Sequence, residues 1–193
     1  MSLFFETIRI QNRIIHNRTY HNARLNRTIS EIFGIMRAYD IAEYITLPAD
    51  DAIYRCKLVC DTQIRDVTLT PYTPRSYRSF QCIEADISYP CKALERTTID
   101  SLFARRGDAD DIIIVKEGLL TDTSIANIAL YDGLVWYTPA SPLLEGTMRA
   151  SLLDQKRLKP KALTPKDLQK CVGFAIMNAM TGFYQLKNIT FRL

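Results

Sequence analysis

Glycine and proline are scarce, seven and eight residues in 193, which leaves no room for a long flexible linker and excludes collagen-like or low-complexity architectures. Histidine is scarcer still, with only His16 and His21. No Cys/His spacing fits zinc, so no metal site is expected. A Ser-His-Asp hydrolase would have to take its base from these two histidines, both in the N-terminal segment. The five cysteines, Cys56, Cys60, Cys82, Cys91 and Cys171, form no Cys-x-x-Cys pair, and an odd count would leave one unpaired in a secreted protein. No basic-then-apolar leader follows Met1, and no apolar run approaches ~18 residues. A cytoplasmic protein with reduced thiols and no membrane segment is expected. The G-x-G-x-x-G fingerprint, the Walker phosphate loop and the G-x-S-x-G elbow are all missing.

What is present is average for a soluble domain: 47% apolar and 24% charged residues. A chain of this length can bury roughly 70% of its unfolded surface. One domain, or two small lobes, can therefore fold without disulfide or metal. The 25 Lys+Arg against 21 Asp+Glu give a net charge of +4. That mild excess suits an anionic small molecule as well as a nucleic acid. Arg9, Arg13, Arg18, Arg24 and Arg27 make the N-terminal segment basic, but aromatics are not interleaved as stacking platforms. No nucleic-acid partner is expected.

Bulky apolar and polar residues mix over residues 3–10 as in a half-buried strand, and Asn12 can turn it into a hairpin with residues 13–15. From Tyr20 the period lengthens to about 3.6, with Leu25, Ile29, Ile32, Phe33 and Met36 as the apolar stripe of a helix ending near Gly34. Arg24, Arg27 and Glu31 lie off or beside that stripe. Residues 52–60, 65–70 and 80–85 read as strands, so the first half is expected to be antiparallel strands under one helix. Pro90 marks a change of character, and the lobes are placed at 1–88 and 89–193. A short helix over 97–106 is stopped by Gly107. Strands follow at 111–115, 119–122, 125–131 and 134–137, the last two joined by the Asp132-Gly133 turn. Gly146 opens a helix running to about Lys156. A last helix is expected from Pro165 to about Thr181, capped by Thr164.

Several residues have chemistry worth weighing against plain structure. Lys92 follows Tyr89-Pro90-Cys91 at the junction of the halves. It is either an ordinary solvated lysine or a Schiff-base lysine whose unprotonated amine attacks a carbonyl. Cys91 beside it reads as a packing residue. Asp122 ends an apolar hairpin. It either caps the turn or holds a protonated ring nitrogen by a charge-assisted bond. In Leu143-Leu144-Glu145-Gly146-Thr147-Met148-Arg149, a glycine precedes a helix whose first N–H groups, at Thr147 and Met148, can seat a phosphate. The same stretch is also an ordinary helix start. Arg24 carries a guanidinium fork that matches phosphate.

The order of these pieces resembles the class IV aminotransferase superfamily. The residues that carry the resemblance are Phe5-Glu6-Thr7-Ile8-Arg9, His21-Asn22-Ala23-Arg24-Leu25, Lys92, Asp111 to Gly118, Thr121 to Asn127, and Gly146-Thr147-Met148-Arg149. They cover most of residues 3–155. The resemblance implies an α+β, two-lobed fold of the D-amino acid aminotransferase type (fold type IV), with pyridoxal 5′-phosphate held between the lobes. Carried over residue by residue, Lys92 is the Schiff-base lysine and Asp122 the partner of the pyridine nitrogen. Arg24 and the backbone of Thr147 and Met148 hold the phosphate, and Leu144 packs on the ring face. Asp122 stands where many members have Glu. The hydroxyl of Thr147 lies one place earlier than in members reading Gly-Ile-Thr, and the chain is shorter than most. The resemblance further implies a small-molecule amino substrate and a homodimer. The Phe5-to-Arg9 motif points to elimination of the 4-amino-4-deoxychorismate lyase kind, with Arg9 as a carboxylate anchor. The alternatives are an amino-acid transaminase, of D-amino acid or branched-chain type, and a non-catalytic cofactor-binding member.

Overall fold

The computed structural model describes residues 2–193. The chain forms two compact units. One holds the chain through Pro74 together with Cys91–Glu95, and the other holds Arg75–Pro90 and Arg96–Leu193.

In the first unit, β1 (Phe4–Gln11) turns through Asn12 and Arg13, both at positive φ, into the short β2 (Ile14–Ile15). Such left-handed turn residues match the twist of a tight hairpin. The antiparallel sheet has the order β2-β1-β3-β4, with β3 at Tyr54–Cys60 and β4 at Ile64–Pro71. Helix α1 (Arg18–Phe33) ends at Gly34, whose left-handed backbone lets its N–H donate to the Ser30 carbonyl at 2.9 Å. Alternation along β1 turns Phe4, Glu6, Ile8 and Ile10 inward, where Leu25 and Ile29 of α1 and Cys56 and Leu58 of β3 pack with the apolar members. The helix therefore buries residues 21, 24, 25, 28 and 29. Arg24 lies on that buried face rather than beside it, while Ile32 and Met36 are 48% and 87% exposed. The expected stripe was thus rotated, because Met36 lies beyond the helix end. The segment carrying Lys92 is stitched to β1: the Phe5 N–H donates to the Lys92 carbonyl at 2.9 Å, and the Leu94 N–H to the Leu3 carbonyl at 2.8 Å.

The second unit is built on β5 (Ser79–Glu84), which runs parallel to β6 (Asp111–Lys116) through the crossover helix α2 (Thr97–Ala104). This parallel pairing takes residues 75–90 into the second unit, so the units part at Pro74 and not at residue 88. It also corrects the expectation of a purely antiparallel first half. A tight turn at Glu117 and Gly118 leads into β7 (Leu119–Thr123), followed by β8 (Asn127–Tyr131) and β9 (Trp136–Pro139). Helix α3 (Thr147–Asp154), β10 (Lys159–Lys161), α4 (Pro165–Lys170), β11 (Gly173–Asn178), β12 (Gly182–Leu186) and β13 (Thr190–Arg192) complete it. The last helix stops at Lys170 instead of Thr181. Residues 174–177 are fully buried between β8 and β12, and such a run reads alike as helix core or as a two-faced strand. One core gathers Phe80, Ile113, Phe174 and Ile176; another packs Ile99 and Leu102 of α2 on Ile112 and Ile114; a third sets Leu152 of α3 on Ala129 and Met177.

Candidate active site

In the first unit, three polar side chains lie buried between α1 and the sheet. Glu6 points inward from β1, and His21 and Arg24, three apart on α1, point at it from the helix. Arg24 donates through Nε to Glu6 Oε1 at 2.8 Å and through Nη2 to Oε2 at 2.6 Å, while His21 Nδ1 lies 2.6 Å from Oε2. Burial alone would raise the Glu6 carboxyl. The Arg24 charge and the His21 bond outweigh it and hold the group at about 2. A buried carboxylate with a fork-to-fork arginine is held in one geometry. One edge of the Arg24 guanidinium is therefore fixed by Glu6.

Lys92 is half-buried, and its Nζ sits 4.5 Å from the centroid of the Phe5 ring. Lys57 Nζ lies 5.6 Å from the same ring. Because its backbone is bonded to β1, the Lys92 side chain emerges from a fixed point on the sheet. Arg9 lies further along β1, its Nε donating to Gln11 Oε1 at 3.2 Å.

In the second unit, Asp122 ends β7 and is 6% exposed. Asn127 Nδ2 donates to its Oδ1 at 2.7 Å, and the Leu144 N–H donates to its Oδ2 at 2.9 Å. The same Asn127 amide also donates to the Leu144 carbonyl at 2.9 Å, which locks the three residues together. Burial pushes the Asp122 carboxyl up to about 6, against the opposing pull of these donors and of the Arg149 charge. Thr147 and Met148 open α3 behind Gly146, which gives no side-chain cap. A Cβ at residue 146 would overlap Asn127 Oδ1, so glycine is required by close approach and not by an unusual φ. Thr147 is buried, and Met148 packs against the Leu152 core. Arg149 is buried too. It donates through Nη2 to the Pro139 carbonyl at 2.9 Å, and its Nε has no partner among the described residues.

The structure thus brings Asp122 and Leu144 into direct contact and joins Thr147 and Met148 to them through Gly146 and Asn127. It sets Lys92 and Arg24 in the first unit. Four residues escaped the sequence reading as actors: Glu6, His21, Asn127 and Arg149. A carboxylate in the inward phase of an apolar strand signals a buried partner, and Glu6 carried that signal. Burial pushes the Cys56, Cys60 and Cys82 thiols up to about 11, 12 and 11, so these groups stay protonated packing residues.

A phosphorylated pyridinium fits the second unit's donor set. The hydrogen bonds that Asp122 accepts from Asn127 and Leu144 come from neutral donors, which suits a carboxylate facing a ring cation, and the start of α3, with no side-chain cap, is of the kind that binds phosphate.

A family model for amino-transferase class IV matches residues 91–189. An uncharacterized protein of Haemophilus influenzae is 34% identical over 183 residues, which covers 92% of this chain and 97% of the relative. The crystal structure of a protein from Haemophilus somnus 129PT, assigned as a 4-amino-4-deoxychorismate lyase, superposes with a TM-score of 0.86 at 30% identity, covering 94% of this chain and 98% of that one. A protein from Mesorhizobium loti, assigned as an amino-acid aminotransferase, shares the fold with a TM-score of 0.84 at 21% identity, over 97% and 99% of the two chains. The short chain length is therefore shared with these relatives.

Proposed function

This chain belongs to the class IV aminotransferase family, α+β enzymes that use pyridoxal 5′-phosphate, and we propose that it catalyses an elimination of the 4-amino-4-deoxychorismate lyase kind. The observation that carries the cofactor assignment is Asp122, a buried carboxylate fixed by Asn127 and Leu144 with no cation hydrogen-bonded to it. The choice of elimination is supported by the 30% identity to the Haemophilus somnus protein over 94% of this chain.

In this reading the bound cofactor supplies the electron sink for the substrate carbon. Asp122 accepts a hydrogen bond from the protonated ring nitrogen and keeps it charged. The Thr147 and Met148 backbone and Arg24 hold the phosphate, with Arg24 aimed by Glu6, and Leu144 lines the ring face. Lys92 is the amine that condenses with the cofactor carbonyl. Once released, its Nζ takes a proton from the substrate's amino-bearing carbon and returns one to the product. The assignment includes a cytoplasmic homodimer.

The test is an absorbance spectrum of the protein with cofactor, before and after borohydride, followed by peptide mapping. A visible band whose reduction leaves the cofactor on Lys92 is expected. A folded protein with excess cofactor that shows no band and no modified lysine would overturn the reading. Release of pyruvate and 4-aminobenzoate from 4-amino-4-deoxychorismate is the expected activity. A 2-oxo acid formed from amino acids instead would replace elimination with transamination.

A further inference from the structure

Arg149 is a buried cation that the chemistry above leaves idle. It lies on the first turn of α3, is 7% exposed, and donates through Nη2 to the Pro139 carbonyl at 2.9 Å. Its Nε has no partner, and among the described residues no carboxylate forms an ion pair with it. A guanidinium stays charged at any working pH. Taking such a charge out of water is costly unless another charge answers it, and an apolar side chain of similar volume would avoid that cost. The answering charge is Asp122, which lies a short chain of contacts away. Gly146, three residues before Arg149, sits so close to Asn127 that a Cβ there would overlap Oδ1, and Asn127 Nδ2 donates to Asp122 Oδ1 at 2.7 Å. The Arg149 charge therefore acts on the Asp122 carboxyl without a hydrogen bond between them, and it favours the ionised form. Glu145, ahead of α3, feels the same guanidinium but is exposed, so water and salt screen it. On β6, the Asp111 carboxyl is engaged by Thr123 and Ser124 instead. Asn127 of β8 and the Leu144 backbone bring only neutral donors.

We propose that Arg149 is a positioning residue that acts through Asp122: it keeps that carboxylate ionised before the cofactor arrives, so that a protonated ring meets an anion and not a neutral acid. This rests on the reading of Asp122 as the partner of the ring nitrogen. The lack of a direct bond between the two side chains is part of the device. An arginine bonded to Asp122 would compete with the ring for the same oxygens, as Arg24 occupies both oxygens of Glu6. Held by the Pro139 carbonyl, Arg149 supplies charge and leaves the acceptor sites of Asp122 to other donors.

The experiment titrates the full chain, isotope-labelled at its aspartate carboxyls, and follows Asp122 by NMR, its signal assigned by its loss in Asp122→Asn. In the parent protein Asp122 should be ionised by about pH 7.5. Arg149→Gln keeps a donor for the Pro139 carbonyl but removes the charge, and should raise the Asp122 midpoint by about one pH unit or more. Arg149→Lys, which keeps the charge, should bring the midpoint back to near the parent value. Lys159→Gln, on the exposed β10, should leave it in place and so excludes a general effect of net charge. Binding of pyridoxamine 5′-phosphate, which has no aldehyde for Lys92 to attack, should follow the same order by calorimetry. Its affinity for Arg149→Gln should fall about fivefold at about pH 6 and recover above about pH 8, since the ligand's own titrations are common to all variants. An Asp122 midpoint unmoved in Arg149→Gln, with binding weakened equally at every pH, would overturn the inference, because Arg149 would then be merely structural. Failure of Arg149→Lys to restore the midpoint would overturn it too, since shape and not charge would be the cause. Should Arg149→Gln not fold, a parent Asp122 still protonated at about pH 7.5 overturns it without any variant. Borohydride mapping separates this from the enzyme reading: cofactor fixed on Lys92 with an Asp122 midpoint indifferent to Arg149 defeats only the positioning role, whereas no modification at Lys92 and no binding of pyridoxamine 5′-phosphate defeat the enzyme assignment.

Discussion

Asp122 and Glu6 are both buried carboxylates, and their surroundings drive them in opposite directions. Glu6 faces a guanidinium and an imidazole; Asp122 faces two amide donors. The folded Asp122 pKa of about 6 lies above the ordinary 3.8. Its favourable contribution is therefore complete below pH 3.8 and is lost as pH rises through 6, a change of about 3 kcal/mol. Chemical denaturation of the cofactor-free protein should show this decline, and Asp122→Asn should flatten it. In the proposed role of Asp122, the same variant removes the partner of the ring nitrogen. It should weaken cofactor binding about 10- to 100-fold, the loss expected for a charge-assisted bond, as read from the visible absorbance. Glu6 runs the other way: its folded value of about 2 lies below 4.5, so its stabilisation is present above pH 4.5 and is lost as pH falls through 2. Glu6→Gln leaves Arg24 buried without its counter-charge and should destabilise the protein by about 3 kcal/mol at pH 7, checked by urea unfolding. Gly146→Ala would drive the new methyl into Asn127 and displace the amide that holds Asp122. A loss of about 1–3 kcal/mol is expected. Asn127→Ala in the same chain should recover part of it, a non-additivity that a double-mutant cycle measures.

At the level of elements, the chain was most legible where one signal had one structural meaning. The alternation of β1, the Asn12 turn, the Gly34 helix stop and the Asp132-Gly133 turn each depend on a local backbone requirement, and each stands where the pattern put it. The run Phe174-Ala175-Ile176-Met177 failed because its meaning depends on partners distant in sequence. With β8 on one side and β12 on the other, both faces are buried and no alternation remains to be read. Ile176 is 1% exposed, so Ile176→Ala should cost about 2–5 kcal/mol in thermal or urea unfolding. A helix ending at Thr181, with residue 176 near its exposed end, would lose far less. The candidate site divides in the same way. Lys92, Asp122 and the start of α3 were visible as an ordered series of motifs. The contacts that hold the site residues in place were not, because Glu6 meets Arg24 across 18 positions and Leu144 meets Asp122 across 22. Spacing along a chain does not report such pairs.

Over the whole molecule, the two units draw on interleaved stretches of chain, and that interleaving sets a timetable. Residues 2–74 supply the first sheet and its helix, yet the edge of β1 at Leu3 and Phe5 is covered only by Lys92 and Leu94. Between them in sequence lies β5, whose partner β6 begins at Asp111. On a ribosome, the first unit can condense early but cannot close until residue 95 has emerged, and by then β5 is already outside with nothing to pair. The lysine segment is the last piece the first unit receives, and it arrives while an apolar strand of the second hangs open. Chains arrested soon after residue 95 emerges should therefore protect β1 from hydrogen exchange while leaving Phe80 to Ile83 exposed to chaperones. The Lys92 segment is seated before the rest of the second unit has been made.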